Sequence, residues 1–296
     1  MKKIKQETAI RYANLAKELG LEEAAKSLGI KEDSVLRYIS ESKRKVLEPR
    51  LKVLVLDIET SPSRAYVWQY WKQNINKDQV ISEWFMISWA AKWLNDSNIM
   101  SEVLSPEEVL RENDNPILYT LHQLLNEADV IIAHNGKKFD IPKINTRFVL
   151  NGFNKPSPFM VIDTLLVARK EFGFNSNALD SLCRSFGLEG KSPTGMQLWV
   201  DCMNGNADAL KQMDSYCRND IVILEELYHE IKGWIPNHPR IFMDTDGQTC
   251  EVCGGGHLVL NGSYRTTANE YDSYSCQSCG TVLRSRVSNN KNNELV

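Results

Sequence analysis

The chain has 296 residues, 42% hydrophobic and 25% charged, with a formal net charge of −3. That composition is ordinary for a globular protein with one substantial core and one or two small modules. No stretch approaches the apolar length of a membrane span, and the opening Met1-Lys-Lys-Ile-Lys-Gln-Glu-Thr8 carries no secretory apolar region. A cytoplasmic protein with no membrane partner is therefore expected. Seven cysteines would be unusual as disulfides in that compartment. Four fall into two Cys-x-x-Cys pairs, which leaves Cys183, Cys202 and Cys217 as reduced thiols. Residues 1–50 carry 12 Lys/Arg against 8 Asp/Glu, and the remainder 23 against 30. A basic head on an acidic body suits a nucleic-acid tether joined to a metal-binding domain.

Residues 6–46 are helical by pattern. Leu21, Ala24, Ala25 and Leu28 follow the i, i+3, i+4, i+7 rule, Gly29-Ile30 makes a turn, and a second amphipathic stretch runs from Glu32 through Val35, Leu36 and Ile39. The segment Ala24–Tyr38 resembles the helix-turn-helix of many DNA-binding proteins, with its small residue, turn glycine and apolar residue at the usual offsets. The alternative is a small three-helix bundle without that role. Glu32 and Asp33 open the second helix of the motif and would repel phosphates, so backbone contact by Lys31, Arg37 and Lys43-Arg-Lys45 is expected over sequence reading.

From 51 to 235 strands and helices alternate. Strands are predicted at 53–58, 85–94, 98–104, 129–134 and 159–163, and helices at 117–127, 140–151, 164–172, 178–187 and 207–234. The first three strands follow too closely for helical crossovers, so an antiparallel meander precedes the αβ part of a mixed sheet. Val53-Leu-Val-Leu-Asp-Ile-Glu-Thr60 ends an apolar strand on two carboxylates, Asp57 and Glu59, that share a face. Burying both is costly unless a cation neutralises them. Asp140, in His134-Asn-Gly-Lys-Lys-Phe-Asp-Ile141, and Asp220, in Tyr216-Cys-Arg-Asn-Asp220, make four acids that are expected to form a cage for hard divalent ions.

Asp57-Ile-Glu59, Asn135-Gly-Lys-Lys-Phe-Asp140 and Tyr216-Cys-Arg-Asn-Asp220, in that order and spacing, resemble the three motifs of the DEDD superfamily. These are the DnaQ-like, ribonuclease-H-like 3′–5′ exonucleases, and the likeness covers about 51–235. The Tyr-x-x-x-Asp form points to the tyrosine branch; the histidine branch would need His near position 215, where Ser stands. The resemblance implies a stand-alone nuclease of phage or bacterial type with a ribonuclease-H-like α/β fold and two Mg²⁺ or Mn²⁺ ions. Asp57 would bridge both ions, Glu59 and Asp220 would complete the first, and Asp140 would hold the second. Tyr216, one helical turn before Asp220, would orient the attacking water, since tyrosine's ordinary pKa near 10 makes it a poor base. Asn135, Phe139 and Trp68 are the candidate substrate contacts. Asn135 could equally cap a helix, and Asp163 is expected as a cap and His134 as a satisfied loop residue. In Tyr66-Val-Trp-Gln-Tyr-Trp71, Trp68 or Trp71 could stack bases, while Trp89 and Trp93 suit the core.

Cys250-Glu-Val-Cys253 and Cys276-Gln-Ser-Cys279, each with glycine just beyond, resemble a zinc ribbon holding one structural Zn²⁺. Tyr264, Tyr271, Tyr274, Arg284 and Arg286 offer faces for nucleic acid or a partner protein. The expected modules are 1–48 (helix-turn-helix), 49–236 (nuclease), 237–287 (zinc ribbon) and 288–296 (disordered tail). Expected partners are nucleic acid, DNA over RNA, and replication or repair proteins of a phage or host. An exoribonuclease on the same site, and a DNA-binding regulator or recombination accessory, remain the alternatives.

Overall fold

The structure, a computed structural model, describes residues 6–42, 49–190, 194–242 and 249–290. It divides into two compact units, Lys52–Tyr228 and the paired flanks Met1–Leu51 with His229–Val296. The expected Lys43-Arg-Lys45 contact lies outside the described residues.

In the flanking unit, three helices run Gln6–Leu19 (α1), Leu21–Leu28 (α2) and Glu32–Ser42 (α3). Gly29 ends α2 at φ 64°, a left-handed conformation that spares only glycine a steric cost. Its N–H donates to the carbonyls of Ala25 and Lys26, and Ala16, Ala24, Ala25 and Val35 form a small core. Tyr12 and Tyr38 meet edge to face at 4.6 Å.

The larger unit is built on a five-stranded sheet. Its elements, in chain order, are β1 Val53–Thr60, β2 Arg64–Ala65, β3 Val80–Ser82, β4 Met86–Trp93, β5 Met100–Val103, α4 Pro106–Leu110, α5 Asn115–Glu127, β6 Val130–Ala133, α6 Asp140–Leu150, β7 Met160–Asp163, α7 Thr164–Glu171, α8 Leu179–Ser185, α9 Met196–Met203 and α10 Ala207–Ile231. The order is β5-β4-β1-β6-β7, with β4 antiparallel to β1 and β5, and β6 parallel to β1 and β7. This is the expected mixed α/β sheet, meander first, flanked by helices. The short β2–β3 pair, α4 and α9 were not foreseen.

One sheet face is apolar. Leu54, Leu56 and Ile58 are fully or almost fully buried, and Trp89 beside Ile58 donates its indole N–H to the Ile117 carbonyl of α5 at 2.8 Å. The other face bears Asp57 and Glu59. Just before α5, Asp114 is fully buried and accepts hydrogen bonds from the Met86 N–H at 2.9 Å and from Arg147 Nη2 at 2.7 Å. It thereby ties β4 to α6.

In the flanking unit the last segment forms a separate antiparallel sheet, β8 Leu258–Arg265, β9 Glu270–Cys276 and β10 Val282–Ser288, in the order β10-β9-β8. Pro49 bridges Phe242, and the Arg50 N–H donates to Ile241 O at 2.8 Å, so residues just before the large sheet pair with the C-terminal segment. Of the tail expected over 288–296, residues 288–290 are described. Ser288 closes β10 and Asn289 donates to the Glu270 carbonyl at 2.7 Å and to Asp272 at 2.6 Å, because the polar run completes the last strand's hydrogen bonds. Residues 291–296 lie outside the described residues. Among the described residues no helix is long and apolar enough to cross a membrane.

Removing the Asp114 carboxylate while the Arg147 side chain stays mostly buried leaves a charge without its counterion. Asp114→Ala is expected to cost about 3–5 kcal/mol, read as a lower urea midpoint with an unchanged slope. Asp114→Asn, which keeps an acceptor for Met86, is expected to cost less. A loss below about 1 kcal/mol in Asp114→Ala would mark the pair as peripheral.

Candidate active site and metal centre

Strand β1 brings Asp57 and Glu59 to one face because side chains two apart alternate back to the same side. Their register partners on β4 are Ala90 and Ser88, two small residues that leave room above the sheet. Pairing slips by one residue just after Glu59, a bulge that turns the chain at the strand's end. Ser61 fixes that turn: its hydroxyl accepts from the Phe85 N–H, and its own N–H donates to Phe85 O, both at 2.9 Å.

Helix α10 lies over this face. Lys92 of β4 reaches Glu225 of α10 at 2.6 Å, and Cys217 Sγ sits 3.7 Å from the Asp57 carbonyl and 3.8 Å from its carboxylate. Asp220 follows Cys217 by three residues, on the same helical face. Among the described residues, Asp57, Glu59 and Asp220 each present a carboxylate oxygen, all three within 4.8 Å of one another. Asp220 is 1% exposed. The buried Cys217 thiol is pushed well above the usual thiol range, first by burial and then by the charges of Asp57, Glu59 and Asp220. Cys202 of α9 is pushed up to about 11 by burial, then by Asp201 and Glu59. Both thiols stay protonated near neutral pH, so the site's negative charge is carried by its oxygens. A cluster of hard oxygen donors of this kind fits Mg²⁺ or Mn²⁺.

Asp140 is not part of that group. It opens α6, is 2% exposed, and lies in a segment held by Asp163. Asp163 caps α7, accepting from the N–H groups of Leu165 and Leu166, and it also accepts from those of Asn135 and Lys137 at 3.0 Å each. It is a cap, as expected, and a clamp on the loop as well. Asn135 adopts φ 72°, and its carbonyl receives the Phe139 N–H at 2.9 Å. Gly136 packs so closely that a Cβ there would come within 2.4 Å of the Ala133 Cβ. His134 is held between Thr164 Oγ1 at 2.9 Å and the Asn177 carbonyl at 3.0 Å, a satisfied loop histidine.

Tyr216 packs its ring edge-on to Trp199 of α9, centroids 6.2 Å apart. Trp199 also lines a groove of about 500 Å³ with Thr60, Ser61, Ser63, Trp84 and Lys143. The groove begins one residue beyond Glu59. Lys143 Nζ lies 3.5 Å from the centre of the Trp84 ring and 5.6 Å from that of Phe139. Burial lowers the Lys143 pKa, and Glu83 works against that shift. Trp68 is 96% exposed and is not among the groove's lining. Sequence reading missed Trp84, Lys143, Trp199 and Cys217 as site residues. Only Cys217 left a trace, its i, i+3 spacing to Asp220.

The cysteine pairs form the second cluster, all four sulfurs within 4.8 Å of one another. The two knuckles repeat one pattern. Gly254 donates to Cys250 O and Gly280 to Cys276 O, at 2.7 and 2.9 Å, with both glycines at positive φ. The cysteines are free of disulfides, and Cys250–Cys279 and Cys253–Cys276 stand 3.8 and 3.6 Å apart. A tetrahedron with Zn–S bonds of about 2.3 Å has edges of about 3.8 Å, so the thiol set fits zinc. Hydrogen bonds from Cys250, then Cys253, hold Cys276 and Cys279 toward thiolate.

Residues 54–232, more than half of the chain, match the family model RNase_H_2, described as the RNase_H superfamily. The chain belongs to the RNase_H superfamily. Among solved structures, the family B DNA polymerase from the hyperthermophilic archaeon Pyrobaculum calidifontis matches 62% of this RNase_H-superfamily chain at 15% identity and a TM-score of 0.48. The match covers 25% of the polymerase, so the chain spans a part of that protein's length only. No curated protein matches the chain. Superfamily membership and the acid cluster together support nuclease action on nucleic acid.

Two measurements address the ions. Mn²⁺ at about a hundred times its dissociation constant is expected to stabilise the wild type by ~2.7 kcal/mol, and Asp57→Asn to lose most of that gain. Equal gains in both proteins would place the ion elsewhere. For the cysteine cluster, metal analysis is expected to return one zinc per chain. Chelation or Cys253→Ser should unfold the β8–β10 sheet while leaving the larger unit's unfolding transition in place. A sheet that keeps its circular dichroism after zinc removal would count against a structural ion.

Proposed function

We propose that the chain is a divalent-metal-dependent 3′–5′ exonuclease of the tyrosine branch, hydrolysing phosphodiester bonds of nucleic acid, DNA over RNA, to nucleoside 5′-monophosphates. The carrying observation is the convergence of Asp57, Glu59 and Asp220, from segments more than 150 residues apart in sequence, with Tyr216 one turn before Asp220. Membership in the RNase_H superfamily supports the reaction class.

Asp57, Glu59 and Asp220 would hold the ions, and Asp140, at the start of α6, would assist a second. Two bound Mg²⁺ or Mn²⁺ would lower the pKa of the attacking water and offset charge on the phosphate. The protein's own groups do the rest. The groove beside Glu59 admits the terminal nucleotide, with Trp84 and Trp199 offering ring faces and Lys143 an ammonium near the phosphate. Tyr216, braced by Trp199, orients the water through its hydroxyl. Attack at phosphorus breaks the bond to the 3′ oxygen of the preceding nucleotide, and the departing mononucleotide keeps the phosphate on its 5′ oxygen. The first three helices, with their glycine turn, would grip DNA, and the C-terminal sheet would give a second hold.

The test uses 5′-labelled DNA and RNA oligomers with Mn²⁺ or EDTA. A ladder shrinking from the 3′ end, abolished by EDTA, is expected. Asp57→Asn should lower the rate about a hundredfold or more. Tyr216→Phe should lower kcat by about a hundredfold with little change in KM. Oligomers left intact by the wild type under every condition would remove the enzyme reading, and faster loss of RNA than DNA would reverse the stated preference.

A further inference from the structure

The chain leaves the groove's rim at Ser63 and returns to it at Trp84. Between them it makes an excursion whose stem is the β2–β3 pair. Arg64 pairs with Ser82 and Ala65 with Val80, and Arg64 Nε donates to the Ser82 hydroxyl at 2.8 Å. Above the stem, the Tyr66 N–H donates to Gln79 O at 2.8 Å, and Gln79 Nε2 donates back to Tyr66 O at 2.9 Å. Asn76 and Gln79 complete a reciprocal cap on the short 3-10 turn Lys77–Gln79. The base of the excursion is therefore fixed by hydrogen bonds of its own.

Its tip is of another character. Trp68, Tyr70 and Trp71 are 96%, 92% and 82% exposed. Three large rings within four residues, all turned to water, do nothing for the core, and exposed aromatic surface concentrated in this way marks a binding site. The surrounding residues are Gln69, Lys72, Gln73, Asn74, Asn76 and Lys77, with Asp78 as the one acid from 64 to 79. Amides, ammonium groups and flat rings are the chemistry that binds unpaired nucleotides, the rings against base faces and the lysines near phosphates.

We propose that the excursion from Arg64 to Ser82 is a stacking platform for single-stranded nucleic acid. Its rings hold bases upstream of the terminal nucleotide in the groove, so the preferred substrate is an unpaired 3′ strand of several nucleotides. The proposal rests on the exonuclease reading for the direction of the strand. Continuity with the groove favours a nucleic-acid strand over a membrane surface or a second copy of the chain, since both ends of the stem lie on the groove's rim. Trp68, expected from sequence to meet the terminal nucleotide, is thereby assigned to nucleotides farther back.

The experiment measures binding without catalysis, in EDTA, using a fifteen-nucleotide oligothymidylate, a trinucleotide, a blunt duplex and anionic phospholipid vesicles. The long oligomer is expected to quench tryptophan fluorescence in the wild type. Trp68→Ala/Trp71→Ala should weaken its binding by about ten- to a hundredfold and leave the trinucleotide's affinity unchanged. Trp68→Phe/Trp71→Phe should restore most of the loss, and the unchanged trinucleotide affinity excludes a folding defect. Equal affinity of wild type and alanine variant for the long oligomer overturns the platform. So does tighter binding to the duplex, binding to vesicles that the variant loses, or a dimer in sedimentation that the variant abolishes. With Mn²⁺ restored, the alanine variant should still degrade the trinucleotide. Quenching by the long oligomer without cleavage of any substrate would overturn the exonuclease reading and support the platform.

Discussion

Like charges held together against their repulsion are the constraint on which the larger unit is organised. Three carboxylates with oxygens inside 4.8 Å do not stay together by themselves. They are placed by a strand buried on both sides of its sheet and by a 25-residue helix crossing over it. Small residues on β4 leave the space, the bulge after Glu59 ends the strand, and a protonated thiol on α10, rather than another charge, packs against Asp57. Each of these features is stable without reference to a ligand. Together they hold an arrangement that a bound cation would relieve.

The two clusters divide metal chemistry by donor atom. Oxygen donors on the sheet suit hard ions that exchange water and bind phosphate. The four sulfurs suit an ion enclosed on all sides, with no position left for substrate. Their supports differ accordingly. The carboxylates rest on a large apolar core, whereas the cysteines hold a small sheet whose outer strands are mostly exposed and whose core is little more than the cysteines themselves.

What could be read from the sequence follows from the range of the interactions involved. Strand β1 was legible because eight consecutive residues combine an apolar run with two acids at period two. The Tyr216–Asp220 pairing was legible because one helical turn is a local distance. The cysteine knuckles carry their spacing in the chain. Asp140 shows the limit: its motif marks it, yet its distance from the other three acids depends on how α6 is hung from Asp163, a contact between segments more than twenty residues apart. Helix α9 escaped notice because only Leu198 and Cys202 face inward, too few to set a period. The β2–β3 stem is two or three residues long and has no alternation to detect. Trp199 reaches Tyr216 only because α9 folds back, which no local pattern encodes.

The Asp163 clamp has a consequence for genetics. Its carboxylate binds four backbone N–H groups, two opening α7 and two in the Asn135–Lys137 loop, and Gly136 sits where a methyl group would collide with Ala133. A mutational scan scored only by phenotype would rank Asp163 and Gly136 beside Asp57, the proposed metal ligand. Their loss would disturb the loop that leads into Asp140 and leave the clustered carboxylates chemically whole, so such a screen would overcount the residues of the proposed reaction.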